Sequence, residues 1–212
     1  EVEAWFRKFK IPFTVGYGMT EAAPLMAYED WWDFASKSCG KAIDTVEVRI
    51  DSEDPYNKVG EIQARGMNIM SGYYKNEEAT KAAFTEDGWM RTGDLGLLDE
   101  KGNIFIKGRS KNMILSANGQ NIYPEEIEAV VNNQPYVVES VVIDRGARLV
   151  ALIYMDAEKA KSEGVDLEAY KATIMAEVNK SMPAYSKVNM VEYMDQPFEK
   201  TPKMSIKRFM YK

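Results

Sequence analysis

Residues 88–128 read GWMRTGDLGLLDEKGNIFIKGRSKNMILSANGQNIYPEEIE, and this stretch decides the fold. A polar turn with a glycine at residues 99–102 separates two runs, and the second run contains the short apolar segment 104–106. Apolar runs on either side of a glycine-containing turn are typical of paired strands. The stretch therefore predicts a strand–turn–strand frame, with polar residues at the ends of its strands.

Three residues of this frame point to ligand chemistry. Asp94 follows Thr92-Gly93, where a tight turn can lift a carboxylate clear of the sheet, and such a carboxylate suits the neighbouring hydroxyls of a ribose. Arg109 leaves the second strand after a glycine and offers several donors to a nucleotide or phosphate. Gly119 lets a ligand approach the backbone. Each residue alone also fits a turn cap, a surface cation or a loop glycine, but together and in order they favour a nucleotide site.

A second motif lies near the start of the chain, where glycines flank Tyr17. We expect Gly18 to let the backbone turn sharply, with the Tyr17 ring exposed so that it can stack on a flat base. Thr20 can donate to a phosphate, and Glu21 offers the oxygen ligand that Mg²⁺ prefers. An ordinary glycine-rich strand end is the alternative interpretation.

Composition excludes several classes of protein. The 212 residues are 45% hydrophobic and 28% charged, which is typical of a globular chain of one or two domains. The absence of histidine excludes Ser-His and Cys-His nucleophiles and histidine metal sites. A single cysteine, Cys39, fits a reducing cytoplasm. No apolar run approaches the ~18 residues of a transmembrane segment, and a net charge of −6 argues against nucleic acid as a partner.

The pattern of elements changes near Arg109. Before it, residues 45–50 and 60–65 alternate apolar and charged side chains, which predicts strands of a small antiparallel, β-barrel-like subdomain. After it, helical and strand patterns alternate, beginning with Pro124 at a helix start. We therefore predict an α+β fold with one domain at residues 1–108 and a compact α+β domain at residues 109–212.

Four motifs in this order resemble the adenylate-forming superfamily. They are Tyr17-Gly-Met-Thr-Glu21, Thr92-Gly-Asp94, Gly108-Arg109-x-Lys111 and Gly119-x-Asn-Ile-x-Pro-x-Glu-Ile-Glu128. This superfamily includes acyl-CoA synthetases, luciferases and peptide-synthetase adenylation domains, and the closest similarity is to AMP-forming long-chain fatty acid–CoA ligases. Four ordered motifs are far more specific than any one of them.

The resemblance implies a cytoplasmic enzyme that activates a carboxylic acid, such as a fatty acid, with ATP and Mg²⁺. An acyl-adenylate forms with release of pyrophosphate, and the thiol of CoA then attacks it. Residues 1–108 would end the large AMP-binding domain, and residues 109–212 would form a mobile C-terminal cap domain that pivots near Lys111.

The resemblance also implies roles for single residues. Tyr17 would stack on adenine, and Gly18 would be part of the same cofactor-binding site. Thr20 would touch the α-phosphate, and Glu21 would hold the Mg²⁺ ion. Asp94 and Arg109 would bind the ribose hydroxyls, and the loop from Ser116 to Gly119 would line the thiol channel.

The chain departs from the family in two places. It has no glycine-rich phosphate loop, so we expect it to be the C-terminal part of a longer protein and unable to form acyl-adenylate alone. The family usually ends Thr-x-x-Gly-Lys-Ile-x-Arg, and its lysine bridges carboxylate and phosphate, but here Ser205 occupies that position. Serine cannot neutralise developing charge. Lys203 and Lys207 flank Ser205 and would share its face in extended chain, so we predict that one supplies the cation.

Two other functions stay open. A peptide-synthetase-type adenylation domain has the same motifs but another substrate class. A degenerate, non-catalytic member acting as a binding module is favoured by Ser205 and opposed by the intact Glu21, Asp94 and Arg109.

Overall fold

The computed structural model describes residues 2–116 and 118–211, and the chain divides into two compact units, Glu1–Lys111 and Asn112–Lys212. Both units combine helices with strands, which confirms the predicted α+β class. Arg109, which we expected to open the second domain, lies in the first unit.

The first unit contains two sheets. A three-stranded sheet has the order β1–β2–β3, and a four-stranded antiparallel sheet has the order β4–β5–β6–β7. The elements are α1 (Val2–Lys8), β1 (Tyr17–Gly18), β2 (Leu25–Tyr28), β3 (Lys41–Ala42), β4 (Val46–Asp51), β5 (Gly60–Gly66), α2 (Glu77–Ala83), β6 (Met90–Leu98) and β7 (Ile104–Arg109).

The core of this unit follows from the alternation in its strands. Val46 and Ile50 on β4 are buried, as are Ile62 on β5 and Ile104 on β7, and they join Met26 of β2 in one apolar cluster. Because successive side chains of a strand point to opposite faces, this alternation directs one face inward. The strands predicted at 45–50 and 60–65 are confirmed within a residue at each end.

The predicted strand–turn–strand frame is the β6–β7 hairpin. Its turn is held by the Asp99 carboxylate, which accepts from the amides of Lys101 and Asn103 at 2.9 Å each. The antiparallel register then places Asp94 directly opposite Arg109. Residues directly opposite in an antiparallel pair have their Cβ atoms only about 5 Å apart, so the fold itself brings the two side chains together.

The second unit is built on the mixed sheet β10–β11–β12. Its hairpin β10–β11 is antiparallel, whereas β12 returns parallel to β11 after two helices, as a parallel connection requires. The elements are β8 (Ile114–Leu115), β9 (Asn121–Ile122), α3 (Pro124–Val131), β10 (Val137–Asp144), β11 (Leu149–Met155), α4 (Ala157–Ser162), α5 (Leu167–Lys180) and β12 (Met190–Tyr193).

No helix in the described part of the chain combines the length and apolar character that crossing a membrane requires.

Both faces of the second sheet are covered. Ile127 of α3 and Ile174 of α5 are completely buried on one face, together with Ile153 of β11. On the other face, Phe198 of the terminal segment joins a second cluster with Val141 of β10. Residues 198–211 are therefore part of the packed structure of this unit.

Ion pairs fix the terminal segment at both ends. Lys200 Nζ lies 2.6 Å from Glu139 on β10, and Arg208 forms a salt bridge with Glu128 of α3. Glu128 is buried, and its other carboxylate oxygen accepts from the Val142 amide at 2.6 Å. Burial raises the pKa of Glu128, while Arg208 opposes that effect. Arg208 thus neutralises an otherwise costly buried carboxylate.

We predict that Arg208→Met lowers the free energy of unfolding by about 3 kcal/mol, because it keeps the apolar stem and leaves Glu128 buried without its cation. The matched control is Arg145→Met, which breaks an exposed pair with Glu192 and should cost less than about 1 kcal/mol. Urea unfolding of both variants measures the difference. Equal, small losses would show that the Arg208 pair contributes no more than a surface pair.

Candidate functional site

Three predicted site residues meet in the first unit. One carboxylate oxygen of Asp94 accepts from Arg109 Nε at 2.7 Å, and the other accepts from the Tyr17 hydroxyl at 2.8 Å. Asp94 is only 5% exposed, whereas the Arg109 side chain is 48% exposed. The arrangement is a buried carboxylate held between two donors, one of which reaches solvent.

Local hydrogen bonds fix the backbone of β6 around Asp94. The buried Thr92 hydroxyl donates to the Ile62 carbonyl at 2.7 Å and accepts from the Asp94 amide at 3.0 Å. Gly93 has φ +71°, a conformation that favours glycine, and its carbonyl accepts from the Ser110 hydroxyl at 3.2 Å. The predicted tight turn is absent: residues 92–94 lie within β6, where the pairing with β5 shifts register, and the Asp94 carboxylate is paired with Arg109 and Tyr17.

Our expectation that the Tyr17 ring is exposed is wrong. Tyr17 is 6% exposed, because β1 pairs with β2 and places the ring in the apolar cluster that includes Met26. Burial, and then the charge of Asp94, raise the pKa of Tyr17 well above its usual value. The hydroxyl therefore stays protonated and remains a donor to Asp94.

Close backbone approach explains the glycine after Tyr17. A Cβ on Gly18 would lie 2.0 Å from the Pro24 carbonyl oxygen, so no side chain fits there. The chain then enters a short 3₁₀ turn, Thr20–Ala22. This turn leaves the Thr20 side chain exposed and Glu21 partly exposed.

Glu21 is held by a segment that sequence patterns did not single out. Its Oε1 accepts from the Tyr73 hydroxyl at 3.0 Å, and its carbonyl accepts from the Met70 amide at 2.8 Å. Within the described residues, no group of three or more histidine, cysteine or acidic side chains could hold a metal ion. Glu21 thus offers a single, oriented carboxylate and not a complete metal cage.

The remaining sequence-predicted residues lie around the end of the first unit and the start of the second. Lys111 is exposed in the 3₁₀ turn Ser110–Asn112 and is the last residue of the first unit. In the loop between β8 and β9, the Ser116 hydroxyl accepts from the Gln120 amide at 2.9 Å, and Gly119 has φ +75°. Ala117, within the predicted thiol-channel loop, lies outside the described residues.

A cavity of about 210 Å³ lies beside this loop, within the second unit. Ser116 and Asn118 line one part of it, and Tyr185, Lys187 and Asn189 contribute further polar groups. The cavity offers hydroxyl, amide and ammonium groups to a ligand.

The terminal motif does not run extended past Ser205, as our prediction assumed. The Thr201 amide donates to the Ser205 carbonyl, and the Met204 amide donates to the Thr201 carbonyl, both at 2.8 Å. Met204 has φ +61°, which is uncommon for a residue with a side chain. Because residues 201–205 form a closed turn, the alternation of an extended chain does not apply to Lys203.

The two lysines near Ser205 differ in their partners. Lys207 Nζ lies 3.4 Å from Glu199 and is partly buried. Lys203 is exposed in the turn, and no salt bridge links it to another described residue. Lys203 is therefore the less constrained of the two cations.

Two family models match the chain. The model described as AMP-binding enzyme matches residues 1–74, and the model described as AMP-binding enzyme C-terminal domain matches residues 111–211. Together they cover most of the chain and leave residues 75–110, the last part of the first unit, between them.

Curated relatives share substantial sequence identity with the chain. An indoleacetate–CoA ligase from Aromatoleum aromaticum is 39% identical over 141 residues, which covers 64% of this chain and 27% of the relative. A long-chain-fatty-acid–CoA ligase from Mycobacterium bovis is 31% identical over 216 residues, which covers 91% of this chain and 35% of the relative. These matches span only 27% and 35% of the two relatives' own lengths.

A solved structure supports the same fold. O-succinylbenzoate coenzyme A synthetase from Bacillus subtilis, in complex with ATP and magnesium ion, matches with a TM-score of 0.85 and 25% identity. The match covers 98% of this chain and 43% of that chain.

Proposed function

Because this chain belongs to the family of AMP-binding enzymes, we propose that it acts within an ATP-dependent acid–CoA ligase. The reaction joins a carboxylate to the α-phosphate of ATP, releases pyrophosphate, and then transfers the acyl group to the thiol of CoA with release of AMP. The names of two relatives, an indoleacetate and a long-chain-fatty-acid ligase, support this class. We propose a fatty acid as the substrate.

The observation that carries the proposal is the Asp94–Arg109 pair. An ionised carboxylate accepts hydrogen bonds on both oxygens, so Asp94 suits a pair of neighbouring hydroxyls such as those of a ribose. The half-exposed guanidinium uses Nε for Asp94, which leaves other N–H donors for a sugar or phosphate oxygen. A site already ordered by its own hydrogen bonds loses less entropy when it binds.

Glu21 and Thr20 fit the phosphate end of such a site. Mg²⁺ is usually bound through one or two carboxylates plus substrate phosphates, so the single carboxylate of Glu21 suits a metal that arrives with ATP. The ion would neutralise phosphate charge. Oε1 of Glu21 already accepts a hydrogen bond from the Tyr73 hydroxyl. Thr20 is exposed, and its hydroxyl can donate to a phosphate oxygen.

For the second step we propose the Ser116–Gly119 loop and its neighbouring cavity as the place where the thiol arm of CoA is received. The groups that support this are the hydroxyl of Ser116 and the amide of Asn118, both of which line the cavity. Lys111 would be the pivot between the two steps, because it is exposed and ends a compact unit, so its backbone can rotate without disturbing a core.

Ser205 favours a second candidate function, a nucleotide-binding module that does not catalyse adenylation. Ser205 is neutral, and it occupies the position where a cation would stabilise the negative charge that develops during adenylation. The two candidates differ in whether pyrophosphate is formed, not in whether ATP binds.

We expect the full-length protein to catalyse ATP–pyrophosphate exchange in the presence of its acid, tested with palmitate and other fatty acids beside aromatic acids. Asp94→Asn should lower the exchange rate by about 10-fold or more, since it removes the charge that strengthens hydrogen bonds to the sugar. The control Glu53→Gln, which changes an exposed side chain of the same unit, should leave the rate unchanged. ATP binding without exchange for any acid would favour the module instead.

Of the two candidate cations, Lys203 is favoured because its ammonium is exposed in the turn. We predict that Lys203→Ala in the full-length protein lowers the exchange rate by about 100-fold, the typical loss of one group that stabilises transition-state charge. Lys207→Ala should have a much smaller effect, because Lys207 is already paired with Glu199. A double alanine variant with an unchanged rate would remove both lysines from the mechanism.

A further inference from the structure

We propose that Asn112 and Glu125 form a clamp that confines the proposed pivot to Lys111. A hydrogen bond between their side chains joins the first residue after the pivot to α3, so that a rotation at Lys111 moves the second unit as one body. Both are positioning residues, because they act through the pivot and not on a reacting atom. This inference rests on the proposed function, since it assumes that the second unit changes position between the two steps.

The residues on either side of Lys111 are held by different units. Before it, the Ser110 hydroxyl donates to the Gly93 carbonyl of β6 at 3.2 Å. After it, the Asn112 side-chain amide donates to Glu125 Oε1 of α3 at 2.7 Å. Lys111 lies between these contacts with an exposed side chain. The chain is therefore fixed on both sides of one exposed residue, which is where a hinge can absorb a change of backbone torsion.

The hydrogen bond to Glu125 is suited to holding the chain. Its acceptor is a carboxylate, and hydrogen bonds to a charged group are shorter and stronger than those between neutral groups. The Glu125 side chain is only 30% exposed, so water competes for it only in part. Its other oxygen, Oε2, is buried and has no hydrogen-bond partner among the described residues. The orientation of this carboxylate therefore depends on Asn112.

The chain that follows Asn112 explains why a clamp is needed there. It enters β8, a two-residue strand that pairs with the equally short β9. So short a pair of strands is only marginally stable by itself, and bending of residues 112–115 would absorb part of a rotation at Lys111. The hydrogen bond to Glu125 prevents this bending, because it fixes Asn112 directly to α3, whose Ile127 lies in the core.

Glu125 also faces the terminal segment. Arg208 Nη2 lies 4.0 Å from Glu125 Oε1 and forms its salt bridge with Glu128, one turn further along α3. Burial raises the pKa of Glu128, and the charge of Glu125 adds to that effect. Glu125 thus opposes the ionisation of Glu128, so its favourable contacts are those with Asn112 and Arg208. One turn of α3 thereby joins the residue after the pivot to the segment that carries Lys203.

The test measures the two steps of the reaction separately in the full-length protein. Under the proposed function, ATP–pyrophosphate exchange needs one position of the second unit, whereas conversion of acyl-adenylate to the CoA ester follows the change of position. Asn112→Asp replaces the donor with a second carboxylate, which Glu125 repels. We expect this variant to slow single-turnover formation of the CoA ester by about 10-fold and to change exchange by less than about 2-fold.

A swap variant distinguishes loss of the hydrogen bond from a general loss of stability. Asn112→Asp combined with Glu125→Gln exchanges donor and acceptor, because the glutamine amide can donate to the new carboxylate. Formation of the CoA ester should then return to within about 2-fold of the wild-type rate. The matched control is Asn133→Asp, which makes the same change at an exposed residue of the same unit and should leave both steps unchanged.

The outcomes separate the clamp from the proposed function. Three results would overturn the clamp and leave the proposed function standing: an unchanged second step in Asn112→Asp, a loss of exchange as large as the loss of the second step, or a swap variant as slow as Asn112→Asp. A wild-type protein that forms no CoA ester with any acid would overturn both.

Discussion

The ion pair between the buried Asp94 and the half-exposed Arg109 is the interaction on which the rest of the site depends. It exists because the β6–β7 hairpin sets a register that places the two residues opposite each other. The Tyr17 hydroxyl adds a donor from a different sheet, and Gly93 adopts a positive φ within β6 just before Asp94. A charge this well buried is tolerated only with such partners, so the hairpin register accounts for the stability of Asp94 at this position.

A similar arrangement stabilises the end of the chain. Arg208 pairs with the buried Glu128, and Lys200 pairs with Glu139, so the terminal segment is held against the second sheet at both ends. Between these anchors lies the closed turn that contains Lys203. The two anchors therefore fix the ends of the segment that carries the exposed Lys203.

Local patterns in the sequence predicted much of the fold. The alternation at 45–50 and 60–65 identified β4 and β5, and the glycine-containing turn at 99–102 identified the hairpin that joins Asp94 to Arg109. These features are local, because each depends on residues only a few positions apart.

What the sequence did not reveal depends on distant contacts. Burial of Tyr17 follows from its pairing with β2, and the contact of Glu21 with Tyr73 spans 52 positions, so neither has a local signature. The terminal turn was missed because it requires a positive φ at Met204, where glycine or asparagine would have been the expected signal. The pairing of Arg208 with Glu128 likewise joins residues 80 positions apart.

The most direct test of the central claim is a crystal structure of the full-length protein with bound AMP. The account predicts that both ribose hydroxyls lie within about 3.2 Å of the Asp94 carboxylate or the Arg109 guanidinium. AMP bound with its sugar away from this pair, while Asp94 and Arg109 remain paired only with each other and with Tyr17, would contradict it.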